Sequence, residues 1–228
     1  GEESGLEGGE ITVEGANVIV AKGSIQAKGT DAKGGNITIT GTDWVNAGGT
    51  MDVSGETGGN VNITTGGLSL AAPVLARGTT GEGGNININT LFRSWEIVSA
   101  MLDVSGASGG TIKHFADQQI TTSGKYLAIG TDGKGGNIDV TANSLRFLSN
   151  TIDASGTMGG GRIRLGGEYQ GGKNLVTDEI KNAKILNMTD AATITAKATG
   201  TDGDGGRIIA WADHETITFG QFDVTPGT

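Results

Sequence analysis

The sequence has no cysteine, only two prolines and few aromatics, which make up 4% of its 228 residues. Without cysteine there are no disulfides and no thiolate metal sites; export from the cell stays compatible with that but is not established by it. Two prolines beside 43 glycines exclude collagen. A hydrophobic content of 35% with so little aromatic bulk argues against one wide globular core. No apolar run approaches the roughly 18 residues of a membrane-spanning helix, and no signal-peptide pattern opens the chain, as expected of a mature or excised segment. Positive charge is also short. Sixteen Lys and Arg against 25 Asp and Glu leave a net charge of −9, which disfavours nucleic acid and anionic membrane partners.

What is present is a recurring phrase, Gly-Gly followed by a polar residue and then Ile or Val alternating with polar residues. The second glycines are Gly9, Gly35, Gly59, Gly84, Gly110, Gly136, Gly161 and Gly206, so the steps are 26, 24, 25, 26, 26, 25 and 45 residues. A period of this size marks a chain that stacks one unit on the next. Glycine and β-branched residues, with few long helix formers, make that unit strands and tight turns. The expected fold is all-β: a right-handed parallel β-helix of about nine coils, roughly 40 Å long, with three short strands per coil.

Side chains alternate faces along a strand. In the first strand Ile37 and Ile39, Val61 and Ile63, Ile86 and Ile88, Ile138 and Val140 should point inward, and Thr38, Asn62, Asn87, Lys113, Asp139 and Arg164 outward. The second strand is less regular, around Trp44-Val45, Leu68–Leu70, Trp95–Val98 and Leu145–Leu148, and its aromatics are expected to fill a wider corner. The third strand supplies inward pairs Ile25/Ala27, Met51/Val53, Val74/Ala76, Leu102/Val104, Tyr126/Ala128 and Ile152/Ala154, always small beside the turn. Its outward residue alternates: Gln26, Asp52, Leu75, Asp103, Leu127, Asp153. An Asp on every other coil keeps the carboxylates about 9.6 Å apart and relieves like-charge repulsion. Lys28 and Arg77 on the flanking coils are placed to neutralise Asp52.

One domain is expected over 1–228, with a lateral insertion around 166–190 inside the 45-residue step. Within it, Thr177 to Met188 reads as a short helix capped by Thr177, and Ala191–Ala196 restores the third strand. Insertions of this kind gather on one face and often carry binding, which makes Tyr169, Lys173, Asp178, Glu179, Lys181 and Lys184 candidate partner-binding residues. Both ends of the stack would present unpaired strand edges, so the solenoid is expected to continue in a longer chain.

The ordered string Gly-Gly-Glu-Tyr-Gln-Gly (166–171), Ala-Ala-Thr-Ile-Thr-Ala (191–196), Gly-Asp-Gly-Gly-Arg-Ile-Ile-Ala-Trp-Ala-Asp (203–213) and Thr-Phe-Gly (218–220) resembles large exoproteins of the filamentous haemagglutinin type. These are passengers of two-partner secretion, and the Gly-Gly-Asn-Ile-Thr-Ile units are similar to their repeats. The resemblance covers nearly the whole chain. It implies export across a Gram-negative outer membrane through a dedicated transporter, folding at the cell surface, and a role in adhesion or biofilm cohesion. It does not extend to the family's secretion domain with its Asn-Pro motif, since the prolines are Pro73 and Pro226. The segment therefore resembles fibre shaft, with a host or bacterial surface receptor or glycan as the implied partner.

No cofactor is called for. Asp202 and Asp204, in Gly-Thr-Asp-Gly-Asp-Gly-Gly, are weak calcium candidates, but the distal Glu of an EF-hand and the nine-residue period of calcium-binding repeats are both missing, and a Gly/Asp turn explains them. Asp52, Asp103 and Asp153 raise the alternative of a polysaccharide-acting β-helix enzyme. Their alternation with Gln26, Leu75 and Leu127 reads instead as a solvated face, and no catalytic residue is assigned. His114 takes an inward position as a filler, and His214 falls in a turn too distant to share a metal with it. Trp44, Trp95 and Trp211 offer stacking surfaces to sugars, with corner packing as the competing reading. An ice-binding array would need an unbroken Thr ladder, which Lys113, Asp139 and Arg164 interrupt.

Overall fold

The computed structural model describes residues 5–96, 99–173 and 180–228. These wind into a parallel β-solenoid of about eight coils, close to the number expected from the repeat. Two sheets run the length of the stack. One is built on eight successive strands, from Glu10–Val20 and Asn36–Ala47 through Asn137–Phe147 to Arg207–Ala210. The other contains eight three-residue strands, from Ser24–Gln26 to Gln221–Asp223. The long strands bend, with register shifts between Gly41 and Trp44 and between Ala116 and Gln119, so each coil still has three straight segments around a narrow core.

The inward ladders fall where alternation places them. Ile37, Ile39, Val61, Ile63, Ile86, Ile88, Ile138 and Val140 are buried, as are the third-segment pairs from Met51/Val53 to Ile152/Ala154. In the first coil Ile25 is half-buried. Gly34, the first glycine of the repeat phrase, has no room for a side chain, because an added Cβ would lie 1.7 Å from the Val53 carbonyl oxygen of the next coil. The second glycine of the repeat is fixed in the same way. A Cβ on Gly59 would lie 2.0 Å from the Gly35 carbonyl oxygen, and one on Gly84 2.0 Å from that of Gly59. The Gly-Gly phrase is thus a contact between backbones of successive coils. Outside it, asparagines join coil to coil, with Asn60 Nδ2 donating to Asn36 Oδ1 at 2.8 Å and Asn85 Nδ2 to Asn60 Oδ1 at 2.9 Å.

The Asp residues of the third segment do not form a solvated face. Asp52 and Asp103 are buried and Asp153 half-buried. Each turns its carboxylate back to accept the amide two residues on: Ser54 at 3.0 Å, Ser105 at 2.9 Å and Ser155 at 2.8 Å. The Ser54 and Ser105 hydroxyls in turn accept the Arg77 and Ile129 amides of the following coil, both at 3.2 Å. Short polar side chains favour this use at turns. Lys28 pairs with Asp52 at 3.3 Å as expected, but Arg77 pairs with Asp103 at 2.5 Å rather than with Asp52. The basic residue after a third segment reaches forward to the next coil's Asp, and Lys197 repeats this with Asp223 at 3.7 Å.

The 45-residue step also differs from expectation. Ile185–Met188 is a strand, paired with Ser144–Phe147 and Glu215–Thr218, rather than part of a helix. Leu186 and Met188 fill the core there, which their two-residue spacing permits and a helical spacing does not. Thr193–Thr195 restores the third segment. Among the described residues, the long off-ladder segment is 166–173 with 180–184.

Candidate functional site

The excursion folds back on the outer side of the first segments. Along one outward ladder the register runs Lys113, Asp139, Arg164, Ile209. Lys113 is exposed as alternation predicts, but Asp139, Arg164 and Ile209 are buried at 7%, 1% and 7%. The cover explains the difference. Arg164 donates through Nε and Nη2 to both Asp139 oxygens, each at 2.7 Å, a two-pronged contact suited to a planar guanidinium, and through Nη1 to Glu168 Oε2 at 3.0 Å. Glu168 also accepts the Tyr169 amide at 2.9 Å and lies 3.5 Å from Arg207 Nη2. Burial works to raise its pKa, but the Tyr169 amide and the Arg164 and Arg207 charges hold the carboxyl below its ordinary value. Further along, Thr141 Oγ1 donates to the Lys181 carbonyl at 2.5 Å, and Lys181 Nζ reaches Asp117 at 2.6 Å and lies 5.2 Å above the Phe115 ring.

Between this cover and the sheet lies a cavity of about 310 Å³, lined by Lys113, His114, Phe115, Asp139, Thr141 and Arg164 from the sheet and by Ile180 and Lys181. Its lining is mixed: an aromatic edge, a hydroxyl, two lysines and a neutralised Arg–carboxylate pair. Such a lining can orient a small polar or anionic group, and among the described residues it offers no paired free carboxylates for glycosidic chemistry.

Of the residues singled out on the excursion, Tyr169 is 60% exposed beneath the Arg207 guanidinium, 6.0 Å from its ring. Lys173, Lys181 and Lys184 are exposed. Of the described ones, Lys181 lines the cavity. Asp178 and Glu179, with the proposed cap Thr177, lie outside the described residues, as do Ile97 and Val98 of the second strand. Asp202 and Asp204 are exposed on their turn, where the Asp202 carboxylate is within 3.4 Å of the Thr201 hydroxyl. Among the described residues no group of three His, Asp or Glu side chains joins them or gathers elsewhere. His214 lies in the bend before Glu215–Thr218.

Two features were missed. The first is a polar layer inside the core. Glu96, His114 and Tyr126 come from the three segments and are buried at 2%, 1% and 0%. His114 Nδ1 lies 3.0 Å from both Glu96 Oε1 and the Tyr126 hydroxyl. The Tyr126 hydroxyl donates to Glu96 Oε2, and Thr122 Oγ1 donates to the same oxygen at 2.7 Å. A bare nitrogen facing a carboxylate would repel it, which assigns a proton to Nδ1. Burial pushes the Glu96 carboxyl up, but the His114 charge and the hydrogen bonds from His114, Tyr126 and Thr122 outweigh it and hold the group below its ordinary value. Burial, and then the Glu96 charge, push the Tyr126 phenol well above its own. His114 is therefore a filler with partners. The signal available was its shared coil with Tyr126, two polar fillers at positions where neighbouring coils carry aliphatics.

The second feature is the direction of the tryptophans. Corner packing does not hold for Trp95, which is 54% exposed while Glu96 faces in. Trp44 is half-buried, its ring lying across Gly67, and Trp211 donates to Asp213 at 3.0 Å. Comparison with protein-family models, curated proteins and solved structures finds no match to this chain.

Proposed function

We propose that the chain is a non-catalytic shaft segment of a secreted bacterial surface exoprotein, which attaches cells or surfaces through a stiff rod. The observation that carries this reading is the stack itself: about eight coils share one narrow, mostly apolar core, and the described strands between Glu10 and Asp223 follow one another in ladder order. A rod gains avidity from repeated weak contacts and needs no deep pocket. The resemblance of the 166–220 string to filamentous haemagglutinin-type passengers supports the same reading. It supplies export by two-partner secretion through an outer-membrane transporter, a Gram-negative cell surface as the location, and a surface receptor or glycan as the partner.

The polysaccharide-acting alternative has less support. Asp52 and Asp103 are engaged by backbone amides and by Lys28 and Arg77, and Asp139 by Arg164. Carboxylates held in this way are poor acids or nucleophiles. Attachment of the purified chain, displayed on beads, to bacterial and epithelial cells tests the proposal, with acidic and neutral polysaccharides assayed in parallel for product release. Attachment without product is expected. Product release lost on Asp103→Asn or Asp153→Asn would overturn the non-catalytic reading. To place binding on the excursion, Tyr169→Ala with Lys181→Ala is the suitable variant. Deleting 173–190 would also remove the core strand Ile185–Met188.

A further inference from the structure

Coil four reverses the polarity of its neighbours. In its second segment, Arg93–Glu96, Ser94 and Glu96 face the core, while Trp95 faces solvent and Leu91 and Phe92 stand exposed at the corner before it. In the preceding coil the inward residues at these levels are Leu68 and Leu70. Burying Glu96 and exposing Trp95 is the unfavourable choice on both counts. The core nevertheless supplies His114, Tyr126 and Thr122 to hold Glu96 inward. A one-residue slip would exchange the two faces, so these partners also fix the register that turns Trp95 out. Local rules broken at such expense mark functional surfaces.

The surface so displayed lies on one parallel sheet. The outward register runs Trp44, Gly67 in one column and Asn46, Ser69, Trp95, Thr121 in the next. Gly67 leaves room for the Trp44 ring, since a Cβ there would come within 2.1 Å of it. The ring therefore lies along the sheet with one face outward. Trp95 stands two coils away, about 10 Å along the stack. Between them are neutral hydrogen-bonding side chains, Asn46 exposed and Ser69 half-buried. Two aromatic faces separated by amide and hydroxyl groups match the alternation of apolar ring faces and equatorial hydroxyls along a sugar chain. Arg93, exposed two residues before Trp95, and Arg146, next after Thr121 in its column, add donors for ring hydroxyls at one side of this face, while the chain's net charge of −9 works against a polyanion.

We propose that the Trp44–Trp95 face is a stacking platform for a neutral polysaccharide, held open by the buried Glu96–His114–Tyr126 layer. This rests on the surface-attachment reading and gives it a place, on a different face from the excursion. The test is affinity electrophoresis and tryptophan fluorescence with four soluble probes: a β-1,3-glucan, xyloglucan, galactomannan and dextran. At least one should bind. Trp95→Ala should weaken that binding at least tenfold and Trp44→Ala measurably, with circular dichroism unchanged, while Trp211→Ala should leave binding intact. Binding unaltered in Trp95→Ala, or no binding to any of the four, overturns the platform. So does a concentration-dependent dimer in sedimentation that Trp95→Ala abolishes, since a second copy would then be the occupant. A chain that binds the glycan but attaches to no cell would sink the attachment reading and leave the platform standing.

Discussion

The coils at 60–75 and at 93–126 solve one packing problem in opposite ways. In the first, Leu70, Ile63 and Val74 meet across the core, all fully buried. In the second, Glu96, His114 and Tyr126 occupy the same three ladders one or two coils on. The backbone path is the same, so the fold itself does not require an apolar interior at every level. What differs is how an inward group finds a partner, and the polar coil leaves the Ser94 hydroxyl and His114 Nε2 buried without one among the described residues. An aliphatic side chain finds one in any neighbour, because dispersion and water exclusion have no direction. A carboxylate needs donors at set positions, here a ring nitrogen, a phenol and the Thr122 hydroxyl.

The difference can be broken most sharply at Glu96. Glu96→Leu leaves the Tyr126 hydroxyl and His114 Nδ1 buried without their acceptor, and chemical denaturation should show a loss of about 3–5 kcal/mol. Leu70→Ala, the counterpart in the apolar coil, should cost about 3 kcal/mol through the cavity it leaves. Replacing the whole layer, Glu96→Leu with His114→Ile and Tyr126→Leu, should recover most of that loss, because of the groups that faced Glu96 only the Thr122 hydroxyl is then left without its acceptor. A triple variant as weak as Glu96→Leu would show that the layer is packed for shape rather than for its hydrogen bonds.

Acid sharpens the comparison without mutation. The Glu96 carboxyl is held below its ordinary value in the folded chain. Its contribution is therefore fully present above the unfolded value, near 4.5, and is lost as pH falls through the folded one. Thermal melts between pH 6 and pH 3, which lie at about the ordinary range of carboxylates, should fall less steeply for the triple variant than for the parent. The smallest effect belongs to the third-segment turns. Lys28→Ala removes a half-exposed partner of Asp52 and should change stability by less than about 1 kcal/mol. Arg77→Ala should cost somewhat more, because Asp103 is the more deeply covered acid.

Much of the fold was legible because its rule is local. Period-two alternation and the Gly-Gly marker identify the inward residues of the first and third segments before any contact is known, as Ile37, Ile39, Tyr126 and Ala128 illustrate. The second segment was harder. It follows a bend where the register shifts, so counting from Gly-Gly loses its phase and Trp95 was assigned to the corner. The excursion was harder still. Lys181 meets Asp117 across 64 residues of sequence, and Arg164 is buried with Asp139 and Glu168 as its partners. No periodicity announces a cover that comes from outside the repeat.

The sequence alone determined the stacked architecture, the coil length and the apolar ladders, since each depends on spacing within one repeat and on the bulk of single side chains. Only the tertiary structure decided where the charges went. Asp52 turned to its own backbone, Arg164 and Asp139 went under a cover, and Glu96 went into the core while Trp95 went out. Burying a charge depends on partners that sequence distance conceals and that stacking brings within hydrogen-bonding reach.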